Sequence, residues 1–219
     1  MNGGEISGNT ASRGGGVYTS NYYAECSFTM EGGAISGNIA GSSGGGVYVG
    51  RIFTMNGGEI SGNTTSGRGG GVYVDSTFTM SGGEISGNTS SSGGGVYVGG
   101  IFTMSGGEIS GNLVNTSFPD NSYYYYNYGG GVHIGGYGRF TKTGGTIYGY
   151  STSDTVNSNV VKRSGTVQSD RGHGIYAGRD SSPTLTKRME TTAGPEAYLY
   201  FYWYGDSSIP PEWTGDWDF

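Results

Sequence analysis

Apolar and polar positions alternate along this chain in short bursts that recur about every 25 residues. Residues 75–99 show one burst in full. Phe78 and Met80 fall on one side with Thr79 opposite, Ile85 lies between Glu84 and Ser86, and Val96 and Val98 flank Tyr97. Alternation with period two predicts strands, and no burst reaches helix length. Each unit therefore reads as three short strands, built on FTM, EIS and GVYV. They are separated by a Gly-Gly pair, by a Gly-Asn followed by a Ser/Thr-rich link, and by a short turn.

The phrase FTMSGGEISGN occupies residues 78–88 and returns unchanged at 102–112 and with one change at 53–63. Met1, Met30, Met55, Met80 and Met104 mark successive copies, and a degenerate sixth copy begins at Lys142. Five inward apolar side chains per unit contribute about 7–15 kcal/mol when buried. Ordering some 25 residues costs about 1–2 kcal/mol each. A single unit cannot fold alone, so neighbours must complete its hydrogen bonds. A parallel β-helix does this, with each strand pairing its equivalent about 4.8 Å away in the next coil. A propeller blade needs about 40 residues. The expectation is an all-β, right-handed parallel β-helix, a single-stranded solenoid of about six coils. It would span residues 1–195, with degenerate closing coils over 142–195 and an aromatic cap or tail over 196–219.

Glycine, 48 of 219 residues, suits such a solenoid at corners and where stacked coils approach closely. Asn9, Asn38, Asn63, Asn88 and Asn112 occupy one position in five units, which predicts a stacked amide ladder with asparagines able to take left-handed turns. Charged residues make up 13% of the chain and the net charge is −6. A surface so poor in Lys and Arg argues against nucleic-acid binding. No apolar run of 18 residues is present, so no helical span of a bilayer is expected. Cys26 has no second thiol to pair with and reads as an inert or solvent-facing thiol. The first residues align with the middle of a repeat and lack the pattern of a signal peptide, which reads as a truncated or misassigned start.

The motifs FTMN at residues 53–56 and GGAI at 32–35 resemble the paired FxxN and GGA[ILV] motifs of polymorphic outer-membrane proteins, whose passenger regions are β-helical. More closely, the repeats are similar to bacterial surface proteins that reiterate GGGVYV and FTMSGGxISGN and close with a segment like KTGGTIYGY, QSDRGHGIY and KRMETTAGP. The resemblance implies a pectin-lyase-like fold and an extracellular or cell-surface location, with adhesion or display as the role. FxxN occurs once here rather than in every copy, and the chain is too short to include an autotransporter barrel.

Stacking turns recurrent outward residues into rows. Glu59, Glu84 and Glu108 form one, either a solvated stack or a weak cation site; the calcium-binding GGxGxD repeat is missing, and no metal or other cofactor is expected. Tyr18, Tyr48, Tyr73 and Tyr97, continued by His133 and Tyr176, form another, open to two readings: cross-strand packing, or stacking against sugar rings. Residues 113–128 replace the four or five residues that other units place there. This insertion carries Tyr123, Tyr124, Tyr125, Tyr126 and Tyr128, and Tyr with Ser and Asn is recognition-loop chemistry. It is the candidate contact surface for a host glycan or extracellular protein, with a tolerated insertion as the alternative. A polysaccharide lyase or hydrolase would need clustered carboxylates and bases. The repeats through Asn112 hold one Asp, Asp75, and no Lys, while Asp170, Arg171, His173, Arg179 and Asp180 gather in the closing segment. The expected function is a noncatalytic surface or secreted module, with a lyase-type enzyme and a purely structural spacer as alternatives. Residues 197–204, rich in Tyr, are expected to add a strand over the end of the core.

Overall fold

A computed structural model of the chain describes residues 1–20, 22, 26–116, 128–135, 138–167, 174–177 and 199–201. Strands account for the regular structure, and the described residues contain no helix. The strands form three sheets whose neighbours pair in parallel and in register, unit on unit, which is the architecture of a parallel β-helix.

The first sheet unites two of the motifs. EIS strands (Gly32–Ser36, Glu59–Ser61, Glu84–Ser86) and FTM strands (Ser27–Met30, Ile52–Met55, Thr77–Met80) form two rows that both meet the long strand Ile101–Ser110, itself paired with Arg139–Ile147. The third sheet stacks the VYV strands from Val17–Thr19 through Val96–Val98 to Ile175–Ala177 and Leu199–Phe201. The second sheet was not anticipated. It stacks Thr10–Arg13, Ile39–Ser43, Thr64–Thr65, Thr89–Ser90, Leu113–Thr116 and Val160–Arg163, the stretch that follows each ladder asparagine and that the sequence suggested was only a link. Its shortest members, Thr64–Thr65 and Thr89–Ser90, are two polar residues each, so their alternation carries little hydrophobic signal. One antiparallel pair ends this sheet: Thr166–Val167 folds back on Val160–Arg163 through Ser164 and Gly165, both at positive φ (46° and 81°), a two-residue turn of the type hairpins favour.

Phe78, Met80, Ile85, Val96 and Val98 all point inward and are fully buried, as their alternation predicts. Their counterparts in the central coils do the same, while Met1, Ile6, Val17 and Phe28 in the first coils are half-buried, so each core position becomes a column running along the axis. Phe53, Phe78 and Phe102 stack with centroids 4.8 and 4.7 Å apart. Phe78→Leu keeps most of the volume but loses a ring contact on both faces. It is expected to cost about 1–2 kcal/mol, read as a fall in the urea midpoint without change of slope. The methionine column ends in Lys142, which pairs in register with Met104 and whose amine burial pushes below the usual lysine range.

Candidate functional site

The asparagine column is the most fully bonded feature of the solenoid. Asn63 Oδ1 accepts from the backbone N–H and the side-chain amide of Asn38, at 2.9 and 3.0 Å. Asn63 in turn donates both groups to Asn88 Oδ1, and its second amide proton goes to the Ile35 carbonyl of the preceding coil. The pattern repeats from Asn9 to Asn112. Because each Oδ1 from Asn38 onward receives a backbone N–H, the orientation of those amides is fixed. Left-handed backbone belongs to the preceding glycine rather than to the asparagine: Gly62 and Gly87 have φ of 62°, and no ladder asparagine has positive φ. Asn159 adds a further rung, accepting from Asn112 at 3.0 and 2.9 Å. The sequence reading missed it because 47 residues separate the two and Ser158 replaces the usual glycine. The apolar pair Val160 and Val161 after it is the signal that marks the position.

The insertion is shorter than the sequence suggested. Leu113–Thr116 is the second-sheet strand of its coil, with Leu113 in register with Thr89 and Val114 with Ser90. By that register Thr116 corresponds to Ser92 and Gly129 to Gly93, so the extra residues are 117–128, and Val132 is again in register with Val96. Tyr128 is half-buried beside the resumed coil. Tyr123, Tyr124, Tyr125 and Tyr126 lie outside the described residues, as do Asp170, Arg171, His173, Arg179 and Asp180.

Glu59, Glu84 and Glu108 stand in register on consecutive coils, with Ala34 next in the row and Glu5 beyond it. Glu59 and Glu84 are exposed and Glu108 is half-buried. Among the described residues, no three His, Cys, Asp or Glu side chains are arranged to hold a metal ion. The row has the placement of a solvated stack. A neighbouring outer row is mutually bonded: Ser81 Oγ donates to Asn56 Oδ1 at 2.7 Å and the Asn56 amide donates to Glu31 at 3.0 Å. That contact is where the single FxxN asparagine goes.

The tyrosine row faces outward, yet Tyr48 and Tyr97 are only 6% and 9% exposed. The rings lie face to face along the axis, Tyr18 to Tyr48 at 5.2 Å, Tyr48 to Tyr73 at 4.9 Å and Tyr73 to Tyr97 at 5.1 Å. His133 continues the stack at 4.6 Å and Tyr176 at 5.0 Å. The faces of Tyr48, Tyr73 and Tyr97 are thus packed on one another as a ladder. Guanidinium groups cover two of the rings: Arg13 lies 5.7 Å from the Tyr48 centroid and Arg68 5.2 Å from that of Tyr97. Ser92 Oγ lies 2.8 Å from His133 Nδ1.

Asp75 ties this row together. Tyr48 Oη donates to one carboxylate oxygen at 2.9 Å and Tyr73 Oη to the other at 2.8 Å. Asp75 is the single Asp of the repeats through Asn112 and stands where other units have Gly50 or Gly99, two residues past Tyr73 and just beyond the strand Val72–Val74. That spacing was the available signal. Burial and then the Asp75 carboxylate push the Tyr48 hydroxyl up to about 12, and the same causes raise Tyr73 further. Unfolded tyrosine titrates near pH 10. The folded state thus holds the neutral phenols more tightly, and their contribution to stability is whole below about pH 10 and lost as pH rises through about 12. The melting temperature is expected to fall across that window, and less steeply in Asp75→Asn.

Comparison of the chain with protein-family models, with curated proteins and with solved structures finds no match.

Proposed function

We propose that the chain is a noncatalytic β-helical module of a bacterial cell-surface or secreted protein, and that it displays the Tyr-rich segment 117–128 for adhesion to a host glycan or extracellular protein. The observation that carries this reading is the register on either side of that segment. Leu113 pairs with Thr89 before it and Val132 with Val96 after it, so twelve extra residues enter one coil without displacing the stack. A repetitive scaffold carrying one long insertion rich in Tyr, Ser and Asn has the composition that recognition surfaces use. The alternative platform, the tyrosine row, has its ring faces packed against one another. The surface location rests on the resemblance of the repeats.

The test is binding to an array of glycans and extracellular-matrix proteins by the intact chain and by a variant with residues 117–128 replaced by a short Gly-Ser link. Both are first checked for the same far-ultraviolet circular dichroism. Selective binding that disappears in the variant supports the reading. A folded intact chain that binds nothing selectively overturns it in favour of a structural spacer, and binding retained by the variant moves the site elsewhere on the solenoid.

A further inference from the structure

The packed tyrosine row places oxidisable side chains in a continuous line, and it does so around one proton acceptor. Phenols are among the easiest side chains to oxidise by one electron, and the oxidised phenol becomes a strong acid that must release its proton. Transfer between rings in contact is fast, so an electron removed anywhere along Tyr18, Tyr48, Tyr73 and Tyr97, with centroid separations of 4.9 to 5.2 Å, can be replaced from a neighbour. The oxidised site then settles where proton loss is easiest. Asp75 accepts the hydroxyl hydrogens of Tyr48 and Tyr73 at 2.9 and 2.8 Å, so each of these two phenols already has a carboxylate on its proton. The guanidinium groups over Tyr48 and Tyr97 oppose positive charge on those rings, leaving Tyr73 with the acceptor and without an arginine stacked on it. Tyr73 is also partly exposed, whereas Tyr48 is buried.

We propose that this row is a one-electron trap, which takes oxidising equivalents from small radical oxidants and holds them as a neutral phenoxyl radical on Tyr73. In the step, the radical oxidant gains one electron and becomes an anion. Tyr73 loses that electron, and its phenolic proton crosses the existing hydrogen bond to the Asp75 carboxylate, which becomes a carboxylic acid. No other bond breaks. Because the ring faces are packed on neighbours, the trapped radical is kept from coupling with a phenol of a second molecule, the reaction that consumes exposed tyrosyl radicals. The inference is independent of the adhesion reading, since it involves no residue of 117–128.

The experiment is pulse radiolysis of the intact chain with azide radical as oxidant, following the tyrosyl absorption with time and comparing Asp75→Asn, Tyr73→Phe and Tyr22→Phe. Tyr22 is an exposed tyrosine outside the row, 90% accessible. The wild type and Tyr22→Phe should show a slow phase whose rate is independent of protein concentration. In Asp75→Asn that phase should shorten by roughly tenfold or more, as follows from losing a hydrogen bond to a charged acceptor. In Tyr73→Phe it should disappear, with a matching rise in dityrosine fluorescence. Tyr73→Phe preserves the stacked ring and carries the test by itself if Asp75→Asn does not fold. An unchanged slow phase in folded Tyr73→Phe, or decay in the wild type that is wholly second order, overturns the proposal.

Discussion

Gly94→Ala is expected to prevent the central coils from stacking, at a cost above about 4 kcal/mol, the range reserved for gross steric or electrostatic faults. A Cβ at Gly94 would be driven into the carbonyl oxygen of Gly130 on the next coil and against the backbone of Leu113, and neither can withdraw without breaking the pairing on either side. Gly70 and Gly45 meet the same obstruction one and two coils away. Gly87, in the same coil as Gly94, makes the informative comparison. Its φ is 62°, but the nearest atom to an added Cβ is 3.8 Å away, so Gly87→Ala faces backbone strain alone, about 1–2 kcal/mol. Urea denaturation of the two variants separates close approach from conformational strain, and equal losses would refute the distinction.

Asn88→Asp should be the next most damaging change. The substitution preserves shape, but the new oxygen cannot donate to the Ile60 carbonyl or to Asn112 Oδ1, where the amide donates at 2.9 and 3.0 Å. A buried carboxylate would also face two acceptors with its charge unpaired. A loss of roughly 3–5 kcal/mol at neutral pH is expected. Burial raises the pKa of such a carboxyl, so the variant should regain part of its stability as pH falls and the group becomes a neutral donor. Thermal melting of variant and wild type between neutral and mildly acidic pH checks this, and a gap that widens on acidification would contradict the assignment of the donors.

These two variants also show what could be read from the letters. Phe78, Met80, Ile85, Val96 and Val98 announced themselves through alternation, because each inward position is apolar and its neighbours are not. The amide ladder was legible from recurrence alone as far as Asn112, and failed at Asn159 once residues 117–128 and 149–157 broke the spacing. Thr64–Thr65 and Thr89–Ser90 carried no such signal, since two polar residues have no measurable period and owe their strand geometry to the coils above and below. The same cause placed the start of the insertion too early, at Leu113. Tyr48 and Tyr97 were assigned to the correct face, but outward is not the same as exposed when each ring covers the next. Asp75 was noticed as an isolated acid; its pairing with both Tyr48 and Tyr73 depends on a neighbour 27 residues away.

The asparagine column has one more property. In a sheet, strand dipoles largely cancel. Here each side-chain amide donates one proton to the next higher rung, from Asn9 to Asn38 and so on to Asn159, and no rung donates to the asparagine below it; the second proton goes to a backbone carbonyl, as from Asn63 to Ile35. The hydrogen bonds that link the rungs polarise one another, and their dipoles sum along the axis as they do in an α-helix. The solenoid therefore has an electrical polarity that its ionisable residues do not set: along the column the amide oxygens point toward the low-numbered end and the hydrogens that link the rungs toward the high-numbered end.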